Sequence, residues 1–391
     1  MKLLPYILTI AIGIASIFAA KPSIGSALSS ALSSALNHLT TNLWGGAPTS
    51  QQTPIAQQAP TYYNAVSADE KQIVSEMAVP RPISKVFLAV EQGEGAGARV
   101  RRAIGTPNLR NLSPFLMLDH FSISPGAGFP DHPHRGQETI TYLLSGAVDH
   151  EDFAGNSGTI EAGDLQFMTA GRGIVHAEMP RQNPDGSANV GLQLWVDLPS
   201  NLKACEPRYR DLRASEIPAA RDVDSGRATV KVISGQSHGV DSVKDLAYTP
   251  VWILDVELRP GAKVDQPVPR TWNAFAYVLE GDDVVITDGT ASESGGGDGG
   301  DARTRQVQPY NVVVFGKEGD MIHVEAAPKA TKPARIIIIA GMPLNQPVIQ
   351  YGPFVLTTKD EVYKAIMDYQ SHSNGFERAK GWQSEIGKTM M

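Results

Sequence analysis

From Ile83 onward the chain breaks into short runs of alternating apolar and polar residues separated by Gly, Pro, Asp and Asn. Side chains that change face at every residue, in segments this short, fit antiparallel β-strands joined by turns. Residues 140–144 and 192–196 exemplify a first set of such runs. Residues 230–233, 251–256, 275–279, 312–315 and 336–339 form a second set, which begins near Ala228. The halves also echo each other. Tyr142-Leu143-Leu144-Ser145-Gly146 matches Tyr277-Val278-Leu279-Glu280-Gly281, and Gly163-Asp164-Leu165 matches Gly319-Asp320-Met321. Self-similarity of this kind points to an internal duplication. The expected fold is therefore all-β, with two barrels in tandem, and Thr357-Thr358-Lys359-Asp360 signals a short C-terminal helix beginning at Lys359.

The 391 residues hold roughly two domains of about 150 residues each, with room for extensions. Lys2 precedes an uncharged, apolar run over residues 3–20, followed by Lys21-Pro22. This pattern predicts a signal peptide or a membrane anchor over residues 1–20, and with it a secretory or membrane-attached location. Residues 21–82 are rich in Ser, Ala, Thr, Gln and Pro, with no acidic residue before Asp69, and read as a low-complexity linker. Two domains follow, at 83–212 and 213–391, the second carrying a flexible Gly-rich insertion over 288–303.

Net charge is -7 and no basic stripe runs along the chain, which argues against direct nucleic-acid binding. Arg99-Val100-Arg101-Arg102 reads as a solvated strand face rather than a phosphate clamp. Gly93-Glu94-Gly95-Ala96-Gly97 lacks the spacing of a nucleotide loop and reads as a turn. The single cysteine, Cys205, excludes an intrachain disulfide and a thiolate metal cluster. With no histidine near it in sequence, it receives no catalytic role.

Two words carry the chemistry: His132-Pro133-His134 and His176-Ala177-Glu178. Each places metal-ligand side chains at i and i+2, which share one face of a strand. Gly163, Gly171 and Gly173, between the words, supply turns that let the second double back over the first. Three imidazoles and a carboxylate would then converge on one ion. Nitrogen and oxygen donors without sulfur suit Fe(II), Mn, Ni, Cu(II) or Zn, with Fe(II) preferred, because an octahedral ion with four protein ligands keeps two open positions. Glu138 lies four residues beyond His134, an even spacing that also turns its carboxylate inward if the strand is continuous. On spacing alone, Glu138 and Glu178 both qualify as the oxygen ligand or as a proton acceptor.

The stretches Gly128-Phe129-Pro130-Asp131-His132-Pro133-His134-Arg135-Gly136 and Met168-Thr169-Ala170-Gly171-Arg172-Gly173-Ile174-Val175-His176-Ala177-Glu178-Met179-Pro180 resemble the signature of the pirin family. So do Gly191-Leu192-Gln193-Leu194-Trp195-Val196, Gln350-Tyr351-Gly352-Pro353-Phe354 and Asn374-Gly375-Phe376-Glu377-Arg378-Ala379-Lys380. The likeness spans about residues 83–388 and leaves the leader and linker outside it. It implies a bicupin of two double-stranded β-helix barrels. It further implies one iron in the first barrel, held by His132, His134, His176 and Glu178, and a second barrel without metal. Glu138 would then lie behind the ligands. In the loop over 152–158, where some members carry Cys and His, this chain has Ala154 and Asn156.

The resemblance implies a quercetin 2,3-dioxygenase-like activity on a small aromatic flavonol and dioxygen, with Glu138 and Glu178 as candidate bases. Two other functions fit less well. A redox-sensitive transcription co-regulator, with a protein partner and a cytoplasmic or nuclear location, conflicts with the apolar leader, and a metal-dependent cupin isomerase would act without oxygen. The chain is expected to be a monomer.

Overall fold

The period-two runs become strands throughout the computed structural model, which describes residues 78–243, 246–289 and 303–390. The predicted leader over 1–20 and most of the linker and Gly-rich insertion lie outside the described residues. Among the described residues, no helix is long and apolar enough to cross a membrane. The first twelve strands are β1 (Ile83–Leu88), β2 (Glu91–Glu94), β3 (Ala98–Ile104), β4 (Phe115–Ile123), β5 (Phe129–His134), β6 (Gln137–Ser145), β7 (Ala147–Asp152), β8 (Ser157–Glu161), β9 (Leu165–Thr169), β10 (Ile174–Pro180), β11 (Asn189–Asp197) and β12 (Arg208–Leu212).

Two double-sheet barrels result. The first pairs a seven-stranded sheet, in the order β12-β9-β6-β11-β4-β3-β2, with a four-stranded sheet, β5-β10-β7-β8. The second repeats this plan. Its large sheet runs β1, Asn311–Phe315, Asn273–Glu280, Ala334–Gly341, Val251–Leu258, Ala228–Ser234, Ala219–Val223, and its small sheet Lys263–Pro267, Met321–Ala326, Val284–Asp288, Arg303–Val307. The expected tandem all-β fold and its duplication are thus present. The first echo is structural, since Tyr142 and Tyr277 occupy equivalent strands. The second is not: Gly163-Asp164 leads into β9 of a large sheet, whereas Gly319-Asp320 leads into Met321–Ala326 of a small one.

The second barrel takes its edge strand from the start of the chain, which moves the boundary drawn at 83, while the boundary at 213 falls just after β12, the last strand of the first barrel. β1 hydrogen-bonds along Asn311–Phe315 of the second barrel, and β12 fills the equivalent edge of the first. Residues just before β1 belong to the second barrel too, so the linker ends before residue 82. The buried Arg81 guanidinium donates to the carbonyls of Trp272 at 2.7 Å and Pro269 at 2.6 Å. At the other end, the helix α1 (Lys359–Ser371) begins as expected, with the Thr358 hydroxyl accepting from Glu361 N. Its apolar face does not pack on the second barrel. Val362 and Ala365, with Phe354, Leu356 and Phe376, close over Met168, Ile174 and Val175 of the first.

The two large sheets lie face to face. Ile140, Tyr142, Leu192 and Leu194 pack with Phe275, Tyr277, Ile337 and Ile339 in one apolar layer. Each such side chain contributes roughly 1.5–3 kcal/mol by leaving water. Within that layer the Asp255 carboxylate accepts from Tyr142 Oη at 2.8 Å and from Arg335 Nε and Nη2 at 2.9 and 2.8 Å. This packing sets up the site. Because the even-numbered residues of β6 and β11 face the other barrel, Gln137, Thr139, Thr141, Gln193 and Trp195 turn into the first barrel's own interior. That interior is polar around β5 and β10 and apolar beyond, where Val100, Phe121, Leu143, Val148 and Ile160 pack together. The second barrel's is filled by Val264, Ile286, Ile322, Val324 and Ala326, with His323 on the opposite face of its strand.

Candidate metal centre

β5 and β10 run antiparallel with His132 directly opposite His176, and His134 lies two residues along on the same face. The ring centroids of His132 and His176 are 4.4 Å apart, those of His132 and His134 4.9 Å, and those of His134 and His176 5.0 Å. Their ligand atoms all lie within 4.8 Å of one another. His134 and His176 are buried, and His132 is the partly exposed member.

The Nδ1 atoms are occupied from behind. His132 Nδ1 donates to the Pro130 carbonyl at 2.9 Å, His134 Nδ1 meets the Gln137 amide at 2.7 Å, and His176 Nδ1 meets the Tyr209 hydroxyl at 3.4 Å. That arrangement leaves three Nε2 atoms for a common guest. Two of them, on His132 and His176, stand 3.0 Å apart, where bare lone pairs repel unless a proton or a cation lies between them. The third, on His134, is buried without any partner. An orphaned buried nitrogen is costly on its own and is satisfied by a metal bond. Burial, reinforced by the neighbouring imidazoles, holds His134 and His176 well below the ordinary histidine pKa, so both are neutral and ready to ligate. The residues present fit a divalent ion.

Glu178 extends from β10 on the same face as His176, into the polar interior. Its Oε1 accepts from Thr141 Oγ1 at 3.0 Å and its Oε2 from Gln193 Nε2 at 2.9 Å. The carboxylate is buried, and it lies outside the cluster of three histidines. The Trp195 ring stands edge-on to His134 at 5.1 Å, and its indole N–H donates to Gln193 Oε1 at 2.9 Å. A chain of hydrogen bonds therefore runs from the wall of the barrel to the Glu178 carboxylate.

Glu138 is not part of this site. Gly136, with φ of +79°, ends β5 and starts β6, so the spacing from His134 crosses a break and its parity is lost. No side chain fits there, because a Cβ at Gly136 would run into the Val355 carbonyl. The Glu138 carboxylate accepts from Thr169 Oγ1 at 2.8 Å and from the backbone N–H groups of Tyr248 and Thr249 at 3.1 and 3.3 Å, between the barrels. Burial raises its pKa to about 7 against those hydrogen bonds. Contrary to the expectation from spacing, it does not stand at the histidines as a base.

The other sequence readings find their places. Arg99 and Arg101 pair with Glu91, and Arg102 with Asp119 and Glu94, as a solvated strand face does. Gly95 and Gly97 turn the hairpin between β2 and β3. Burial pushes the Cys205 thiol up to about 11, which keeps it protonated. Gln137, Thr141, Gln193 and Tyr209 support the centre, and none stood out in the sequence. For Gln137, Thr141 and Gln193 the only signal was a polar residue at every second position of a strand, and Tyr209, between two arginines in β12, gave none.

Residues 97–196 match the pirin family, and residues 253–375 match the pirin C-terminal cupin domain. Over 307 residues the chain is 48% identical to Pirin-like protein 2 of Arabidopsis thaliana, across 78% of this chain and 89% of that one. The chain belongs to the pirin family. It is also 46% identical to Pirin of Homo sapiens over 312 residues, 80% of this chain and all of that one. Among solved structures, quercetin 2,3-dioxygenase from Acinetobacter baumannii superposes with a TM-score of 0.65 at 30% identity, covering 75% of this chain and 98% of the other. All three clustered histidines fall inside the pirin-matching segment, and α1 falls inside the match to the C-terminal domain although it packs on the first barrel.

Proposed function

We propose that this pirin-family protein is a mononuclear iron-dependent dioxygenase acting on a flavonol such as quercetin, with His132, His134 and His176 holding Fe(II) and Glu178 joining them from beside the cluster. The observation that carries the reading is the convergence of three imidazole Nε2 atoms whose Nδ1 atoms are engaged from behind, one of them buried with no partner. The likeness to a quercetin 2,3-dioxygenase supports the substrate class. When bound, the ferrous ion supplies Lewis acidity toward the flavonol hydroxyl and open positions for substrate and dioxygen.

The protein's own groups do the rest. The side of the cluster at His132, its partly exposed member, is the way in for a planar aromatic guest. Glu178 is the proton acceptor for the 3-hydroxyl. Its Oε1 and Oε2 are held in a fixed orientation by Thr141 and Gln193, so deprotonation needs no search through rotamers. The edge of Trp195 and the buried walls of β6 and β11 keep water away from the deprotonated substrate. The test is oxygen-electrode measurement on protein reconstituted anaerobically with ferrous salt, then given quercetin in air-saturated buffer. Stoichiometric iron with oxygen uptake and loss of the flavonol absorption band is the expected result. Iron-loaded protein that consumes no oxygen with quercetin overturns the substrate reading, and protein that retains no ion overturns the site.

A further inference from the structure

We propose that the chain beyond the second barrel is a clamp on the metal-ligand strands of the first, positioning His132 and His134 through their immediate neighbours and controlling how fast the ion leaves. The inference rests on the metal reading above. It starts from strand parity: when His132 and His134 face inward from β5, Asp131 and Pro133 face outward, and when His150 faces inward from β7, Glu151 faces outward. The outward residues are the ones the C-terminal segment grips. Ser384 donates to Asp131 from both Oγ, at 2.5 Å, and its backbone N–H, at 3.2 Å. The N–H groups of Glu385 and Ile386 donate to Glu151 Oε2 at 2.8 and 3.3 Å. One tail thus ties two strands of the small sheet together on the face behind the cluster.

The second grip is at Arg135, the residue after His134. Its backbone N–H donates to the Pro353 carbonyl at 3.2 Å, and its own carbonyl accepts from Val355 N at 3.0 Å. Its side chain is nearly buried. Nη1 donates to Asp368 Oδ2 of α1 at 2.8 Å, Nη2 to the Asn374 carbonyl at 2.6 Å, and Nε to the Arg172 carbonyl at 2.6 Å. The guanidinium also lies 4.7 Å over the Phe376 ring. Arg172 opens the turn into β10, so this one side chain joins α1, the segment after α1, and the turn leading to His176. A buried guanidinium with three acceptors and an aromatic face has essentially one position. His134 inherits that position through one peptide unit. In the sequence Lys359, the start of α1, comes 224 positions after Arg135, so nothing local in β5 provides this restraint.

Ligands held in place from outside release an ion slowly, because each departing bond re-forms before the next breaks. Loosening the clamp is expected to speed release and to alter coordination geometry while leaving the ligands themselves untouched. Groups supporting metal ligands typically change affinity by about 10- to 100-fold when removed.

The test uses Co(II) as a spectroscopic probe in the full chain, comparing wild type with Asp368→Asn, Ser384→Ala and, as a control on the exposed face of α1, Tyr363→Ala. Two quantities are read: the visible d–d bands of the bound Co(II), and the rate of its transfer to excess chelator. Shifted bands and release about tenfold or more faster in Asp368→Asn and Ser384→Ala, with Tyr363→Ala like wild type, is the expected result. A general loss of stability would not move the bands of the folded protein. Wild-type bands and release rates in both clamp variants overturn the clamp. Failure of the wild type itself to take up Co(II) overturns the metal reading instead. If Asp368→Asn does not fold, Ser384→Ala, at the far end of the tail, decides the matter alone.

Discussion

Replacing Glu138 by Gln is expected to flatten the pH dependence of this protein's stability between about pH 4 and pH 8. Burial between the barrels raises the Glu138 carboxyl from 4.5 to about 7, outweighing the hydrogen bonds from Tyr248 N, Thr169 Oγ1 and Thr249 N. A carboxyl whose folded pKa lies above its unfolded value holds its proton more tightly when folded. Its contribution is therefore fully present below about 4.5 and is lost as pH rises through about 7. At about 1.4 kcal/mol per tenfold change in proton affinity, the gap amounts to about 3 kcal/mol. Urea unfolding of chelator-treated protein, followed by tryptophan fluorescence across that range, measures it. The quantity to plot is wild-type stability minus that of Glu138→Gln, which cancels every other titrating group. It should fall by about 3 kcal/mol from the acid to the alkaline end. A difference that stays constant with pH would refute the argument that burial, rather than hydrogen bonding, dominates this carboxylate.

Three further outcomes are expected. Elemental analysis after ferrous loading should find wild-type iron in Glu138→Gln and at least a tenfold weaker hold in Glu178→Ala, in the range seen when metal-site groups are removed. Equal loss in both folded variants would contradict the separation of the two carboxylates by the β6 sheet. Tyr209→Phe removes the partner of His176 Nδ1 at 3.4 Å and should weaken ion affinity by about tenfold in a chelator competition, with little change in thermal unfolding of the metal-free protein. Asp255→Asn takes the carboxylate from the partly buried Arg335 guanidinium and leaves one amide oxygen where two carboxylate oxygens served Arg335 and Tyr142; a loss of about 3 kcal/mol in urea unfolding is expected, and a loss below about 1 kcal/mol would mean that water reaches this layer.

Much of the fold was legible because strand formation leaves a local trace. The alternating runs at 140–144, 251–256 and 336–339 are strands, and the Thr358 cap starts α1. The histidine triad was legible for the same reason, since residues at i and i+2 share a face wherever a strand is unbroken. Glu138 shows the limit of that rule. Its even spacing from His134 holds only if the strand continues, and Gly136 ends it. The Gly319-Asp320 echo misled in a related way, since a turn dipeptide recurs at the start of non-equivalent strands.

What the sequence by itself determined is the alphabet of the site: antiparallel strands, a doubled barrel, and three histidines whose pattern faces them one way. Only the tertiary structure decided which face is inside. The alternation of β6 and β11 is the same whether the apolar side meets the barrel's own interior or a second barrel. Here the second sheet claims it, and Gln137, Thr141, Gln193 and Trp195 are left to line the interior that holds the three histidines. Tertiary packing also decided that β1 completes the second barrel while α1 and the tail close over the first. Local periodicity is set by bonds between neighbouring residues, whereas the choice between two equally apolar partners depends on surfaces that meet only once the chain has folded.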